Sequence, residues 1–318
     1  MNATKLEEQL RTYLAARLAV GYRDYALRNL MQDFVRYVNA TTTDDGPIRA
    51  RTAFDWACAT SRRNGASRLV YRLSAARGFL THLRASFPDT EVPAIGLLKK
   101  SRRRIPYLFS EGQVVDILKR AAAIEPAASL RPYTYETMLG LMASTGIRVG
   151  EAIHLETDDV NLDTDPPRLE IRESKFRKAR FVPLHPTTAQ KLEHYARLRS
   201  HRGYDKLSKS FFVSERQDHL CYETLRSWFA RTTLDLGMRH GAGRRTPTLH
   251  GLRHYFAVER LTRWCQQGAA AEELAPTLSI YMGHVSPAES YWYLTSTPAL
   301  LKTAGDSFQR YTASAGDL

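Results

Sequence analysis

Thr145-Gly146-Ile147-Arg148-Val149-Gly150-Glu151 is the stretch on which the reading of this 318-residue chain turns. It follows an apolar helical run from Tyr135 to Met142. Its glycines interrupt the helical register, because Gly enters backbone conformations that end helices. Glu151 opens a new helix, where a carboxylate meets the positive end of the helix dipole. The turn between them presents Arg148 with its guanidinium directed away from the core. Taken singly, an arginine in such a turn reads as a solvated or salt-bridged surface group. Its meaning depends on what the rest of the chain supplies.

The bulk properties narrow the classes. A hydrophobic content of 43% is enough for packed cores, and the length suggests two domains. Cys58, Cys221 and Cys265 show neither paired nor metal-type spacing, which suits a reducing cytoplasm. No apolar run approaches membrane-spanning length, and Met1-Asn2-Ala3-Thr4-Lys5-Leu6 is too polar for a signal peptide. The expectation is a soluble, cytoplasmic protein with no membrane partner. The net charge of +13 and a pI near 9.7 favour a polyanionic partner. The excess is uneven: residues 1–106 hold 19 Lys and Arg against 9 Asp and Glu, and the remainder 27 against 24. The first third is therefore the stronger candidate for contact with a phosphate backbone, the alternative being basic helices that are merely solvated.

Apolar periodicity predicts helices over 4–20, 22–40, 48–62 and 66–86, a small helical domain spanning 1–96. Its outward faces are expected to carry Arg62, Arg63, Arg68, Arg72, Arg77 and Arg84. Residues 97–106 read as a linker with a basic cluster, Lys99, Lys100, Arg102, Arg103 and Arg104, lying along DNA or serving as a plain hinge. A second domain spans 107–318. It opens on a capping box, Ser110-Glu111-Gly112-Gln113, and a helix over about 133–144 leads into the Arg148 turn. Leu169-Glu170-Ile171-Arg172 and Arg180-Phe181-Val182-Pro183-Leu184 read as strands. The basic turn Ser174-Lys175-Phe176-Arg177-Lys178-Ala179 joins them. Helices follow at 186–200, 222–237, 250–266, 270–282 and 286–295. The fold class is mainly α with a small β-sheet, α+β.

Three further sites stand out. His250-Gly251-Leu252-Arg253-His254 follows a Gly- and Arg-rich loop, and His250 and Arg253 share a helix face. Gly283-His284 ends a helix, and Tyr291-Trp292-Tyr293 follows. Each alone has an ordinary structural reading, as a cap or as core. Together they supply two arginines, a hairpin lysine, two histidines and a tyrosine, without a metal-type carboxylate pair or a phosphate-cradling Gly loop. That set suits metal-free phosphoryl transfer, with arginines on the negative transition state and tyrosine as nucleophile.

In this order the motifs resemble the tyrosine recombinase, or phage integrase, family. Thr-Gly-Ile-Arg-Val-Gly-Glu is similar to its first arginine box, which implies Arg148 with Glu151 as supporting acid. Ser-Lys-Phe-Arg-Lys-Ala-Arg-Phe-Val-Pro-Leu is similar to its lysine hairpin, giving Lys175, with Arg177 and Lys178 as further DNA contacts. His-Gly-Leu-Arg-His gives His250 and Arg253, and the segment from Gly283 to Tyr293 gives His284 and Tyr293. Phe176 and Arg177 stand where the family often has glycine. Tyr291 competes with Tyr293 for the role of nucleophile, and the family's spacing of nine residues after the histidine selects Tyr293. The resemblance covers 107–297 closely and 1–100 in architecture only.

The resemblance implies a helical, SAM-like core-binding domain and a catalytic domain that close as a C-shaped clamp on double-stranded DNA. It implies cleavage and rejoining through a 3′-phosphotyrosyl link that conserves the bond energy, with no cofactor and no metal. It also implies four protomers on two DNA sites, alone or with related recombinases. The length leaves no room for an additional arm-binding domain. The apolar tail around Leu300, Leu301 and Phe308 packs on its own domain or docks on a neighbour. Two other readings keep the same residues: a relaxing topoisomerase of type IB chemistry, and a DNA-binding regulator with a silent site.

Overall fold

The structure, a computed structural model, describes residues 3–22, 25–42, 46–59, 65–98, 106–172, 179–216, 219–238, 246–268 and 271–283. The chain divides into two compact units, Met1–Arg104 and Ile105–Leu318.

The first unit holds α1 (Ala3–Ala19), α2 (Tyr25–Thr41), α3 (Ala50–Ala59) and α4 (Gly65–Ser86). Each carries apolar residues at three- and four-residue spacing, so one stripe turns inward. Leu6, Leu10 and Tyr13 form that stripe in α1, and Leu73, Ala76, Leu80 and Leu83 form it in α4. The centre is aromatic, with the Phe34 ring 4.8 Å from Trp56 and 6.4 Å from Phe79. Glu91, from the chain after α4, closes the start of α3. It accepts from the Ala50 N–H at 3.0 Å and from Arg49 at 2.7 Å, which satisfies a helix donor with no intrahelical partner.

Arg72 departs from the expected outward face. Its side chain turns inward and the residue is only 4% exposed. Nη2 donates to Asp33 Oδ2 at 3.0 Å and to Trp56 O at 3.4 Å, and the guanidinium lies 3.8 Å over the Trp56 ring. Trp56 Nε1 donates to the same carboxylate oxygen. A guanidinium desolvated and spent in this way is core structure, so Arg72 leaves the set of candidate DNA contacts. Arg68 and Arg84 are exposed. Arg77 is half-buried and donates to Pro93 O and Ala94 O, which pins the chain that follows α4. Arg62, Arg63, Lys99, Lys100, Arg102, Arg103 and Arg104 lie outside the described residues.

The second unit contains α5 (Glu111–Ala122), α6 (Arg131–Thr145), α7 (Val149–Ile153), β1 (Val160–Asn161), β2 (Arg168–Ile171), β3 (Arg180–Pro183), α8 (Pro186–His201), α9 (Tyr222–Asp235), α10 (Leu249–Gln266) and α11 (Ala271–Met282). The capping box on α5 is formed: the Gln113 N–H donates to Ser110 Oγ, and the Ser110 N–H donates to Gln113 Oε1. α6 is the axis of this unit. Met138, Leu139, Leu141 and Met142 bury one broad face of it against α5, α8 and α10, while Ser144 on the opposite face is exposed.

The three strands form an antiparallel sheet in the order β1-β2-β3. Leu169 sits opposite Val182 on the buried face. β1 is two residues long, too short to show alternation, and pairing with β2 defines it. A second pairing joins 155–157 to 209–211, where the Thr157 N–H donates to Lys209 O and the Phe211 N–H to Leu155 O. It carries Phe211, Phe212 and Val213 into the core. The basic turn at 174–178 and the expected helix at 286–295 lie outside the described residues. Among the described residues no helix is long and apolar enough to cross a membrane.

Candidate active site

α6 ends on Gly146, whose φ is +66° and whose N–H returns to Met142 O. A Cβ at this position would stand 2.5 Å from Phe256 Cδ1. Backbone sign and lack of space therefore both demand glycine. The turn drops Ile147 into the core and sets Arg148 at the head of α7.

The Arg148 guanidinium is committed to protein groups rather than free as the turn alone suggests. Nη1 donates to Glu151 Oε1 at 2.8 Å and Nη2 to the Gly283 carbonyl at 2.7 Å, with the side chain 26% exposed. Glu151 Oε2 also accepts from the Arg148 N–H at 2.9 Å. One carboxylate thus caps the short helix and holds the arginine beside it.

Arg253 lies on α10, where Thr248 caps the start by accepting from the Gly251 N–H. Arg253 is 1% exposed. Nη1 donates to Gly146 O at 2.6 Å and Nη2 to Met282 O at 2.8 Å. This arginine therefore joins the α6–α7 turn to the end of α11. His250, one turn earlier on α10, is exposed, and its ring stands at 88° to that of His254 with centroids 4.6 Å apart. Gly251 lets α10 start against Phe109, whose Cε2 would lie 2.7 Å from an added Cβ.

A third arginine, which none of the sequence motifs marks as a site residue, completes the arrangement. Arg180, the first residue of β3, donates from Nη1 to Glu151 Oε1 at 3.0 Å and from Nη2 to Glu151 Oε2 at 2.8 Å. Its Nε donates to Tyr281 O at 3.0 Å. At the edge of a basic turn, an arginine reads as solvated. The available signal was strand alternation, since Arg180 shares a face with the buried Val182. Three successive carbonyls at the end of α11, those of Tyr281, Met282 and Gly283, are thus taken by Arg180, Arg253 and Arg148. These are the carbonyls a helix leaves unpaired, at the negative end of its dipole, where cations are favoured.

Burial pushes the Glu151 carboxyl up, but the hydrogen bonds and charge of Arg180, with those of Arg148, outweigh it and hold the group at about 2 against an ordinary 4.5. A carboxylate depressed in the folded state contributes stability above its unfolded value, and loses it as pH falls through the folded one. The contribution of Glu151, on the order of 3 kcal/mol, is full above about pH 4.5 and fades toward about pH 2. Glu151→Gln is expected to flatten that part of the acid-unfolding curve, measured by circular dichroism between these limits. An unaltered acid limb would show that the pair does not stabilise the fold. Burial raises the Tyr281 phenol to about 12; its hydroxyl donates to Pro183 O, and its ring stacks on Phe256.

The structure brings Arg148, Glu151 and Arg253 together around the last turn of α11, with His250 on the same helix as Arg253. Lys175, Arg177, Lys178, His284, Tyr291 and Tyr293 lie outside the described residues. His284 directly follows Gly283 in the chain. Among the described residues no cluster of three or more His, Cys, Asp or Glu could hold a metal ion.

The phage integrase family profile matches residues 109–299. The chain is 33% identical over 308 residues to the putative integrase/recombinase y4rB of Sinorhizobium fredii, covering 95% of this chain and 96% of the relative. In fold it is similar to the XerH site-specific recombinase bound to palindromic difH substrate in a post-cleavage complex, with TM-score 0.67 and 16% identity over 97% of this chain and 85% of that one. It is also similar to a lambda integrase from a tetramer bound to a Holliday junction, with TM-score 0.60 and 20% identity over 89% and 78% of the two chains. Sequence match and fold agree: the chain belongs to the phage integrase family of tyrosine-type site-specific DNA recombinases.

Proposed function

We propose that this recombinase cleaves and rejoins DNA through a 3′-phosphotyrosyl intermediate formed by Tyr293, serving the integration, excision or transposition of a mobile element or the resolution of joined DNA. The observation that carries the reading is the convergence of Arg148 and Arg253 on the Gly283 and Met282 carbonyls. Two guanidiniums from separate helices meet at the residues just before His284, nine positions ahead of Tyr293. A guanidinium carries five N–H donors, so protein carbonyls and phosphate oxygens can share one group.

In this mechanism the Tyr293 oxygen attacks the scissile phosphorus and the 5′-oxygen leaves. Arg148 and Arg253 take the charge developing on the non-bridging oxygens. Lys175 protonates the leaving oxygen, His250 takes the tyrosine proton and His284 hydrogen-bonds the phosphate. Religation to a second strand reverses these steps with no net loss of ester-bond energy, so no cofactor is consumed. The partners are double-stranded DNA and further protomers. The lambda integrase tetramer on its junction supports four protomers on two sites here. A cytoplasmic location follows from action on DNA.

The deciding experiment offers the full chain nicked duplexes of random central sequence, recovers adducts that survive denaturation, and sequences the attached strand. One recurring sequence, joined at its 3′ end, is expected. Relaxation of a supercoiled plasmid by protomers that never join two sites would favour topoisomerase action instead, and absence of any adduct would favour a silent regulator.

Residues 1–96 and residues 107–318, joined by a linker at 97–106, then both contact the duplex. Since most of the positive excess lies before residue 107, the whole chain is expected to bind this duplex with a steep salt slope and fragment 107–318 weakly. Titration of both between 50 and 200 mM salt, a range over which phosphate contacts weaken binding by roughly 10³-fold or more, checks this. Equal slopes would remove the first unit from the contact with DNA.

A further inference from the structure

We propose that Arg180 is a positioning residue that locks the end of α11 against Glu151 and thereby fixes Gly283, the residue from which the chain continues to His284 and Tyr293. The catalytic part of this proposal rests on the reading above; the mechanical part does not. Arg180 is the first residue of β3, five positions after Lys175 in the sequence. Its side chain is 11% exposed and makes three hydrogen bonds in two directions. The fork of Nη1 and Nη2 meets both oxygens of Glu151, and Nε reaches back to Tyr281 O. Glu151 in turn holds Arg148 through both its side chain and its backbone. One guanidinium therefore ties the hairpin, the first arginine and the last turn of α11 into a single rigid unit.

Gly283 marks how closely the parts meet. Its φ is +67°, and a Cβ there would stand 2.8 Å from Arg180 Nη1 and 2.9 Å from Cζ. The chain turns out of α11 directly over the Arg180 guanidinium. A planar fork can serve a carboxylate with two nitrogens while the third donor stays in register with a carbonyl; an ammonium cannot reproduce that geometry. Arg148 and Arg253 each hold one carbonyl of the same turn and are assigned to phosphate. Arg180 is assigned to hold that turn while their remaining donors engage DNA.

The test compares the full-length wild type with Arg180→Lys and Arg180→Gln by amide hydrogen exchange, followed over Leu278–Gly283 and over α8 as an internal control. Both variants are expected to exchange about tenfold faster or more over Leu278–Gly283, with α8 unchanged, because a turn that loses its buried anchors opens locally. Arg180→Lys keeps the charge, so it guards against a glutamine variant that fails to fold. The second readout is single-turnover capture of the nicked duplex recovered above. Its rate is expected to fall on the order of 10²-fold in both variants with DNA affinity retained, the penalty of displaced reacting groups. Wild-type exchange over Leu278–Gly283 in Arg180→Lys overturns the proposal. So does faster exchange there with wild-type capture, since the turn would then be held for nothing the reaction feels. A wild-type chain that captures no DNA removes the functional reading, and exchange alone then decides the anchoring.

Discussion

Tyr293→Phe abolishes covalent attachment to DNA and leaves binding nearly intact: this is the expected result with the largest effect. The substitution removes one hydroxyl and keeps the ring, so packing around position 293 changes little. Affinity for DNA comes mainly from neutralised phosphates, and one uncharged hydroxyl contributes about 1 kcal/mol. The covalent route has no substitute for the missing oxygen, and loss of a nucleophile costs on the order of 10⁴-fold or more in rate. Tyr291→Phe is the matched control. On the helix that the sequence predicts over 286–295, two residues is a rotation of about 200°, so Tyr291 and Tyr293 are not expected to face one phosphate together. Tyr291→Phe is expected to form adduct at the wild-type rate. Adduct yield on denaturing gels and affinity by anisotropy, measured for both variants, separate the two tyrosines. If Tyr291→Phe is the dead variant, the nucleophile is Tyr291 and the spacing from His284 has misled.

What the sequence made legible was local. The helices of the first unit, the capping box on α5 and the strands around residues 169–171 and 180–183 follow from periodicity and cap chemistry, which a short window contains. The glycine at 146 could be read as a helix stop for the same reason. The direction taken by a long polar side chain could not. Arg72 has the spacing of a residue on a basic face, and only the fold brings Asp33 and Trp56 beneath it. Of the two partners of Arg148, Glu151 lies three residues on, but the Gly283 carbonyl lies 135 residues away in sequence and no local pattern shows it. Arg180 is the same case: its bond to Tyr281 O spans 101 residues, and no local pattern announces it. β1 and the pairing of 155–157 with 209–211 were invisible because each is too short to show a period.

Burial of Arg253 separates two arginines that the motifs present as equivalent. Both Arg148→Ala and Arg253→Ala are expected to slow adduct formation on the order of 10²–10³-fold, since each removes donors aimed at charge that develops in the transition state. Their effects on the fold should differ. Arg253→Ala leaves the Gly146 and Met282 carbonyls without donors in a place where the arginine itself is 1% exposed. It also opens a cavity between α10, the α6–α7 turn and the end of α11. Unsatisfied buried groups and lost volume together cost about 3 kcal/mol or more. Arg148→Ala is milder, because Glu151 keeps both bonds from Arg180 and the Arg148 backbone N–H keeps its cap. What is lost there is a partly exposed pair and one carbonyl bond, about 1 kcal/mol. Urea unfolding of both variants beside the single-turnover adduct rate makes the comparison: similar loss of chemistry, with a clearly lower midpoint for Arg253→Ala only. Arg148→Lys adds the geometric control, since an ammonium keeps the charge and loses the two-pronged donor. Wild-type adduct formation by Arg148→Lys would contradict a two-pronged clamp on the phosphate. Equal midpoints for the two alanine variants would mean that Arg253 is held for DNA alone and that its buried carbonyl bonds stabilise nothing.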